Sequence, residues 1–392
     1  MPTLEGQSNY DRISGVGMTY ALHVKDRKHF YQLDSLRGLA ALAVVLHHWH
    51  IFWILTPHSR YIAFLLQLLP FRLLIAGHSS VMMFFVLSGF VLSLPQVAGK
   101  RVVYSGYLIK RVCRIYLPYL VALGVALLGC WKWHGLHEYG AWVDNAWTER
   151  PQWKYVAQHL LFLGNYNPGR YNISFWTLVQ EMRISLIFPL VCALTLRFRA
   201  RIGGLIALTC FLVNLGLNKV APNAYSFSQT VGYTGMFIFG ILLARYWPYL
   251  EGRLNKLKRT TYWAVFLFCV FLYAYTPSLL NYLGWEAAAW DSLTAIGASG
   301  IILFSLINKR IDSWLLQPPI LFLGKISYSV YLIHAPILFA FGYIFYNRAT
   351  PVVWLIPYLV VTIVLAAIMY RTVEATSIRL GQVLASKASR VA

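Results

Sequence analysis

Apolar runs close to twenty residues long recur along the whole chain, separated by shorter polar stretches that carry most of the charge. A helix rises 1.5 Å per residue, so such a run crosses a hydrocarbon core about 30 Å thick. A membrane barrel would instead show short segments alternating with period two. The pattern predicts an all-α, polytopic helical membrane protein with about ten transmembrane helices. They fall near 36–55, 79–95, 116–131, 173–196, 202–217, 229–244, 261–276, 292–308, 320–346 and 351–370. Several are broken by glycine and polar residues, as expected of helices that pack on one another as well as on lipid.

Composition narrows the class. Charged residues are 12% of the 392, about half the roughly 25% of soluble domains, and mean hydropathy is +0.57. A soluble enzyme and a disordered chain are both excluded. The net charge of +21, from 34 Lys and Arg against 13 Asp and Glu, would suggest nucleic acid in a soluble protein. Here the basic residues sit between apolar runs, so they read as topology signals and contacts to membrane lipids, with no nucleic acid expected. With the N-terminus inside, cytoplasmic segments hold 24 of the 34 basic residues and external ones 8. That asymmetry puts both termini in the cytoplasm. Tyr61 to Gly77 is apolar but contains Pro70 and Arg72, and one more span there would destroy the asymmetry. It is therefore expected to be an external re-entrant or interfacial piece.

Residues 1–30 are polar, without the apolar stretch of a cleavable signal, and form a cytoplasmic N-terminal segment. Residues 31–375 form the membrane domain and 376–392 a cytoplasmic tail. The five cysteines include no CxxC pair and read as inert packing residues. The longest loop, 132–172, is external on this count; its tryptophans, Trp133, Trp142, Trp147 and Trp153, fit an aromatic belt or stacking surfaces for a sugar.

An ionisable side chain inside a span is a functional candidate by default. Arg37 and His48 are eleven residues apart in the first span, about 16 Å along the axis and only about 20° from one face. That spacing suits a ligand with an anionic head and a long arm. His47, His48 and His50 do not share a face, so no metal site is expected. Arg111 and Arg114 share a helix face, a geometry that binds phosphates or simply signals topology. Glu181 falls within the fourth span, and Ser327, Tyr331 and His334 line one stripe of the ninth, which interhelical hydrogen bonding alone would also explain.

These residues lie in motifs that resemble the integral-membrane acyltransferase-3 family, which O-acylates bacterial surface glycans and related molecules. The motifs are Leu33-Asp34-Ser35-Leu36-Arg37-Gly38 leading to His48, Phe84 to Phe90, Arg111 with Arg114, Trp176 to Glu181, Ser327 to His334, and Arg371-Thr372-Val373-Glu374. They cover roughly 30–375 in the family's order. One departure is Ile184-Ser185, where many members carry Phe-Tyr, a difference expected to bear on the acceptor pocket.

The resemblance implies a stand-alone form without a C-terminal esterase-like domain, in a bacterial inner membrane. It further implies a membrane acyltransferase using cytoplasmic acyl-CoA, most simply acetyl-CoA, as donor substrate, with no resident cofactor. The acceptor would be a glycan or lipid-linked glycan. His48 and Glu181 would be catalytic, Arg37, Arg111 and Arg114 would bind the donor, and Trp176, Ser327, Tyr331 and His334 would be substrate-binding. A secondary transporter of a glycan precursor or ion is the main alternative, since buried His and Glu also fit a proton relay; no internal repeat supports it.

Overall fold

A computed structural model describes residues 29–54, 64–135, 146–221, 225–284, 287–345, 348 and 351–391. Most of the N-terminal segment and Trp142 of the aromatic loop lie outside the described residues. With no water in the hydrocarbon core, backbone groups must be satisfied within each segment, and every expected span is a helix. In chain order these are α1 (Tyr31–Ile54), α2 (Gly77–Val97), α3 (Tyr104–Lys132), a short α4 (Trp153–Leu161) between spans, α5 (Phe175–Arg197), α6 (Ala200–Val220), α7 (Tyr225–Leu254), α8 (Arg259–Tyr282), α9 (Ala287–Ile307), α10 (Pro318–Phe345) and α11 (Leu355–Met369). Among the described residues nine helices are long and apolar enough to cross a membrane. The 24-residue α1 is not one of them. It carries Asp34, Arg37 and three histidines and is packed against α10 and α2.

Contact pairs fix the relative directions. On α1 and α10, Gly38 meets Gly324 and His48 meets His334, so the two run parallel. Ser88 reaches Glu181 and Gln96 reaches Pro189, so α2 and α5 are parallel. Arg111 meets Ser185 while Tyr119 meets Phe175, so α3 opposes α5. This is the alternation that ten crossings require, with α1 and α10 as first and ninth. An extra crossing at 61–77 would set α1 and α10 antiparallel. Among its described residues, 64–77, that segment has no helix long enough to cross a membrane; Phe71–Leu74 is a single turn.

Two glycines permit close backbone approaches between spans. A Cβ on Gly38 would stand 2.4 Å from the Gly324 nitrogen, and one on Gly89 would stand 2.2 Å from the Phe237 oxygen of α7. Both belong to the sequence motifs, so part of each motif is backbone packing.

Several elements run past their expected limits. α3 begins at Tyr104, not near 116, so Arg111 and Arg114 are helical and rigidly placed. After α11 a π-helical turn, Tyr370–Glu374, leads into α12 (Ala375–Val391), which packs back on α3. The turn aims Glu374 inward, where the Ser329 hydroxyl donates to it at 2.7 Å. The aromatic loop divides: Trp131 and Trp153 are exposed, while Trp147 is buried against Phe339 and donates its Nε1–H to the Tyr171 carbonyl at 2.9 Å. Trp147 is therefore part of the core and offers no stacking face.

Candidate active site

The polar residues of the spans gather around two cavities that enter the bundle from opposite ends. The first, about 310 Å³, is lined by Arg37, Lys110, Arg111, Arg114 and Glu181, with Ser88, Ser327 and Tyr328 among its other walls. Four cations face one carboxylate. Arg37 comes from α1, where its Nη1 donates to Asp34 at 3.1 Å one turn away. Arg111 is buried and held through two of its three nitrogens: Nη2 donates to Glu181 at 2.6 Å, and Nε donates to the Ser185 hydroxyl at 3.1 Å. Arg114, one turn on, is exposed at the cavity and has no ion pair among the described residues. The i, i+3 pair thus divides its work, one guanidinium locked and one available.

The second cavity, about 600 Å³, is lined by His47, His48, His78, Asn167 and Trp176, among others. His48 stands beside His334 of α10, with Nδ1 to Nε2 at 2.8 Å and ring planes within 13°. His334 is fully buried, and its Nδ1 faces the carbonyls of Tyr331 at 2.9 Å and Val330 at 3.2 Å. Two carbonyls can only accept, so Nδ1 of His334 carries its proton and Nε2 accepts. It follows that His48 donates from Nδ1 and holds its lone pair on Nε2. This tautomer assignment rests on the hydrogen-bond network.

Tyr331 and Val81 line both cavities. The Tyr331 hydroxyl shares a hydrogen bond with Thr177 at 2.7 Å and lies 3.3 Å from the Ser174 carbonyl. The stripe on α10 is thereby resolved: Ser327 faces the arginines, Tyr331 the junction, and His334 the other histidine. The α2 motif contributes Phe84, Phe85 and Ser88 to the arginine cavity while its Gly89 meets α7.

Each sequence-predicted residue is near a cavity, though not always the expected one. Glu181 belongs with the arginines and is not among the lining of the His48 cavity. His334 stands behind His48 and lines neither. Trp176 lines the His48 cavity, with its ring 5.8 Å from Tyr233. Ser185, the departure thought to bear on the acceptor pocket, instead accepts from Arg111. Sequence reasoning missed Asp291, buried on α9, which accepts from His78 Nε2 at 2.5 Å. It also missed Asn172, whose side chain donates to the Leu332 carbonyl at 2.7 Å and accepts from the Ser174 amide. A carboxylate in an apolar run was the available signal for Asp291. Arg183, by contrast, is structural: it donates to the Leu163 and Gly164 carbonyls and to Ser226 of α7.

Comparisons with known proteins show the family. Residues 30–371 match the acyltransferase domain of the acyltransferase-3 family. The chain is also 24% identical over 397 residues to the O-acetyltransferase PaAT-1 of Phomopsis amygdali, covering 83% of this chain and 76% of that relative. No solved structure matches. The matched region runs from just before α1 to the π-helical turn and holds both cavities, so the chain belongs to the acyltransferase-3 family and is a multi-pass membrane O-acyltransferase.

Proposed function

We propose that the arginine cavity takes the phosphates of a cytoplasmic acyl-CoA, acetyl-CoA being the simplest donor. The observation that carries this reading is the pair of cavities meeting at Tyr331, one cationic and one holding a histidine base. A donor entering from the arginine end extends its arm along α1 toward His48, about 16 Å away. The acceptor, a hydroxyl of an extracytoplasmic or lipid-linked glycan, enters the other cavity beside Trp176.

In this scheme neutral His48 acts as general base. Its Nε2 takes the hydroxyl proton as the oxygen attacks the thioester carbonyl. The tetrahedral intermediate then collapses, the C–S bond breaks, and the thiolate leaves and is protonated to the thiol. His334 is a positioning residue: it holds the His48 ring and fixes which nitrogen carries the lone pair. Glu181 also acts through a neighbour, orienting Arg111. Arg37, Arg111 and Arg114 supply charge-assisted hydrogen bonds to phosphate. The basic-residue count supports placing the arginine end and both termini in the cytoplasm.

The test uses purified protein in nanodiscs with labelled acetyl-CoA. His48→Ala should abolish transfer while donor binding persists, and Arg114→Ala should weaken donor binding in a salt-sensitive way. Unchanged donor binding in an Arg111→Ala, Arg114→Ala double variant overturns the donor assignment.

A further inference from the structure

A third cavity, about 280 Å³, adjoins the His48 cavity and shares His47, Gly77 and His78 with it. Its remaining polar lining includes Arg72, Ser79 and Ser278. Arg72 comes from the short segment before α2, whose exposed Phe64, Leu65, Leu68, Leu69, Phe71 and Leu74 suit the membrane interface. Its guanidinium does not snorkel outward. It turns onto α8, where Nε donates to the Ala274 carbonyl at 3.1 Å and Nη2 donates to the Ser278 hydroxyl; Nη1 donates to Gln67 Oε1 at 2.7 Å.

All three acceptors are neutral. No carboxylate among the described residues pairs with Arg72, and the nearby Asp291 is taken by His78. A guanidinium has five N–H donors, so two remain after these bonds. A half-buried cation held by neutral acceptors, with donors left over and an adjoining cavity, is built to receive an anion. Asp291, bonded to His78, does not line the cavity, and no carboxylate among the described residues does.

We propose that this cavity is a second compartment of the acceptor site and takes an anionic group, a phosphate or a carboxylate, carried on the hydroxylated acceptor. The proposal rests on the reading that the His48 cavity holds the acceptor. The acceptor then spans both compartments, its charge at Arg72 and its reacting hydroxyl at His48, and a neutral analogue binds more weakly.

The test is a binding measurement made without any acyl donor, so it stands apart from the donor assignment. The full chain in nanodiscs is titrated with glucose, glucuronate and glucose 1-phosphate in solution, and with phosphatidate or diacylglycerol in phosphatidylcholine nanodiscs. At least one anionic probe should bind tenfold or more tightly than its neutral partner. A preference confined to phosphatidate marks a lipid-borne anion, and one shared by the sugar probes marks a soluble anion; both support the site. Arg72→Gln should erase the preference and Arg72→Lys should retain most of it, because charge carries the effect. A purely structural staple would fail in both. Ser278→Asp, which sets a carboxylate against the guanidinium, should erase the preference too and serves if Arg72→Gln does not fold. Equal binding of anionic and neutral probes by the unaltered chain, or a preference that survives both Arg72→Gln and Ser278→Asp, overturns the proposal. Failure of acetyl-CoA to bind would instead overturn the donor reading and leave this site standing.

Discussion

The two ends of the bundle keep polar groups inside a membrane by different means. At the arginine end the groups are charged and only partly compensated: Arg111 is locked to Glu181 and Ser185, while Arg114 faces the cavity without an ion partner among the described residues. At the histidine end His48 donates to a second imidazole, His334, and the chain of bonds ends on the backbone carbonyls of α10. A neutral chain costs far less to bury than a charge, and it fixes a tautomer besides. The contrast favours the proposed division, in which the first cavity holds an anion and the second moves a proton. Mutations at the two ends should therefore damage different kinetic quantities.

The sharpest way to break that contrast is His48→Ala. A positioned base contributes roughly 10²–10⁴-fold, so acyl transfer should fall by that factor at unchanged protein level and unchanged donor affinity. His50→Ala should retain most activity. So should His47→Ala, whose ring is fastened to the Ile75 carbonyl at 2.9 Å and is one residue out of register with His334. Near-normal transfer by His48→Ala would mean that the histidine end does not move the proton.

At the arginine end the expected loss is smaller and lies in donor affinity. Removing one charge-assisted contact costs about 1.5–3 kcal/mol, so Arg114→Ala should raise the acyl-CoA KM roughly ten- to hundredfold. The effect should shrink as salt rises, with kcat little changed and thermal stability intact. Arg111→Ala should add a stability defect, read as a lowered Tm in detergent, because Glu181 loses its partner in a confined site. If Arg114→Ala lowers kcat instead of affinity, the division between the two ends is wrong.

Sidedness can be checked by labelling alone. Ser105→Cys and Trp153→Cys place thiols at exposed positions on α3 and α4. In intact cells an impermeant maleimide should modify position 153 and spare position 105. The reverse pattern would put the cationic cavity on the wrong side for a cytoplasmic donor.

Much of this was legible in the chain because a membrane imposes strong local rules. Twenty-residue apolar runs yielded the ten helices, and the period of 3.6 put Arg37 and His48 near one face of α1. The basic-residue asymmetry argued against a span at 61–77. What escaped was set by contacts distant in sequence. His48 and His334 are 286 residues apart, and nothing local says that the second holds the first. The pairing of Arg111 with Glu181 across 70 residues likewise sets Glu181 among the arginines, away from His48. Trp147 read as a belt residue because burial cannot be told from an aromatic side chain alone. The extension of α3 to Tyr104 was hidden because a polar, basic stretch beyond the hydrocarbon edge loses the apolar signal while remaining helical.

The smallest expected effect is also the most discriminating. If His334 only packs, His334→Gln and His334→Ala should differ little in activity, since both leave the cavity lining unchanged. If it fixes the His48 tautomer, the two should separate. Alanine removes the acceptor of the His48 Nδ1–H and leaves a buried donor unsatisfied, at a cost of about 1–3 kcal/mol. That cost can be avoided by moving the proton to Nε2, which removes the base. Transfer should then fall roughly tenfold. Glutamine offers an amide oxygen at a similar reach and should recover part of that loss. The readout must separate tautomer from packing, so the imidazole nitrogens of His48 are observed by ¹⁵N NMR in selectively labelled protein. In the unaltered chain and in His334→Gln the protonated nitrogen should be Nδ1; in His334→Ala the population should shift toward Nε2–H. Equal tautomer populations in all three proteins would reduce His334 to a packing residue and leave His48 oriented by its helix alone.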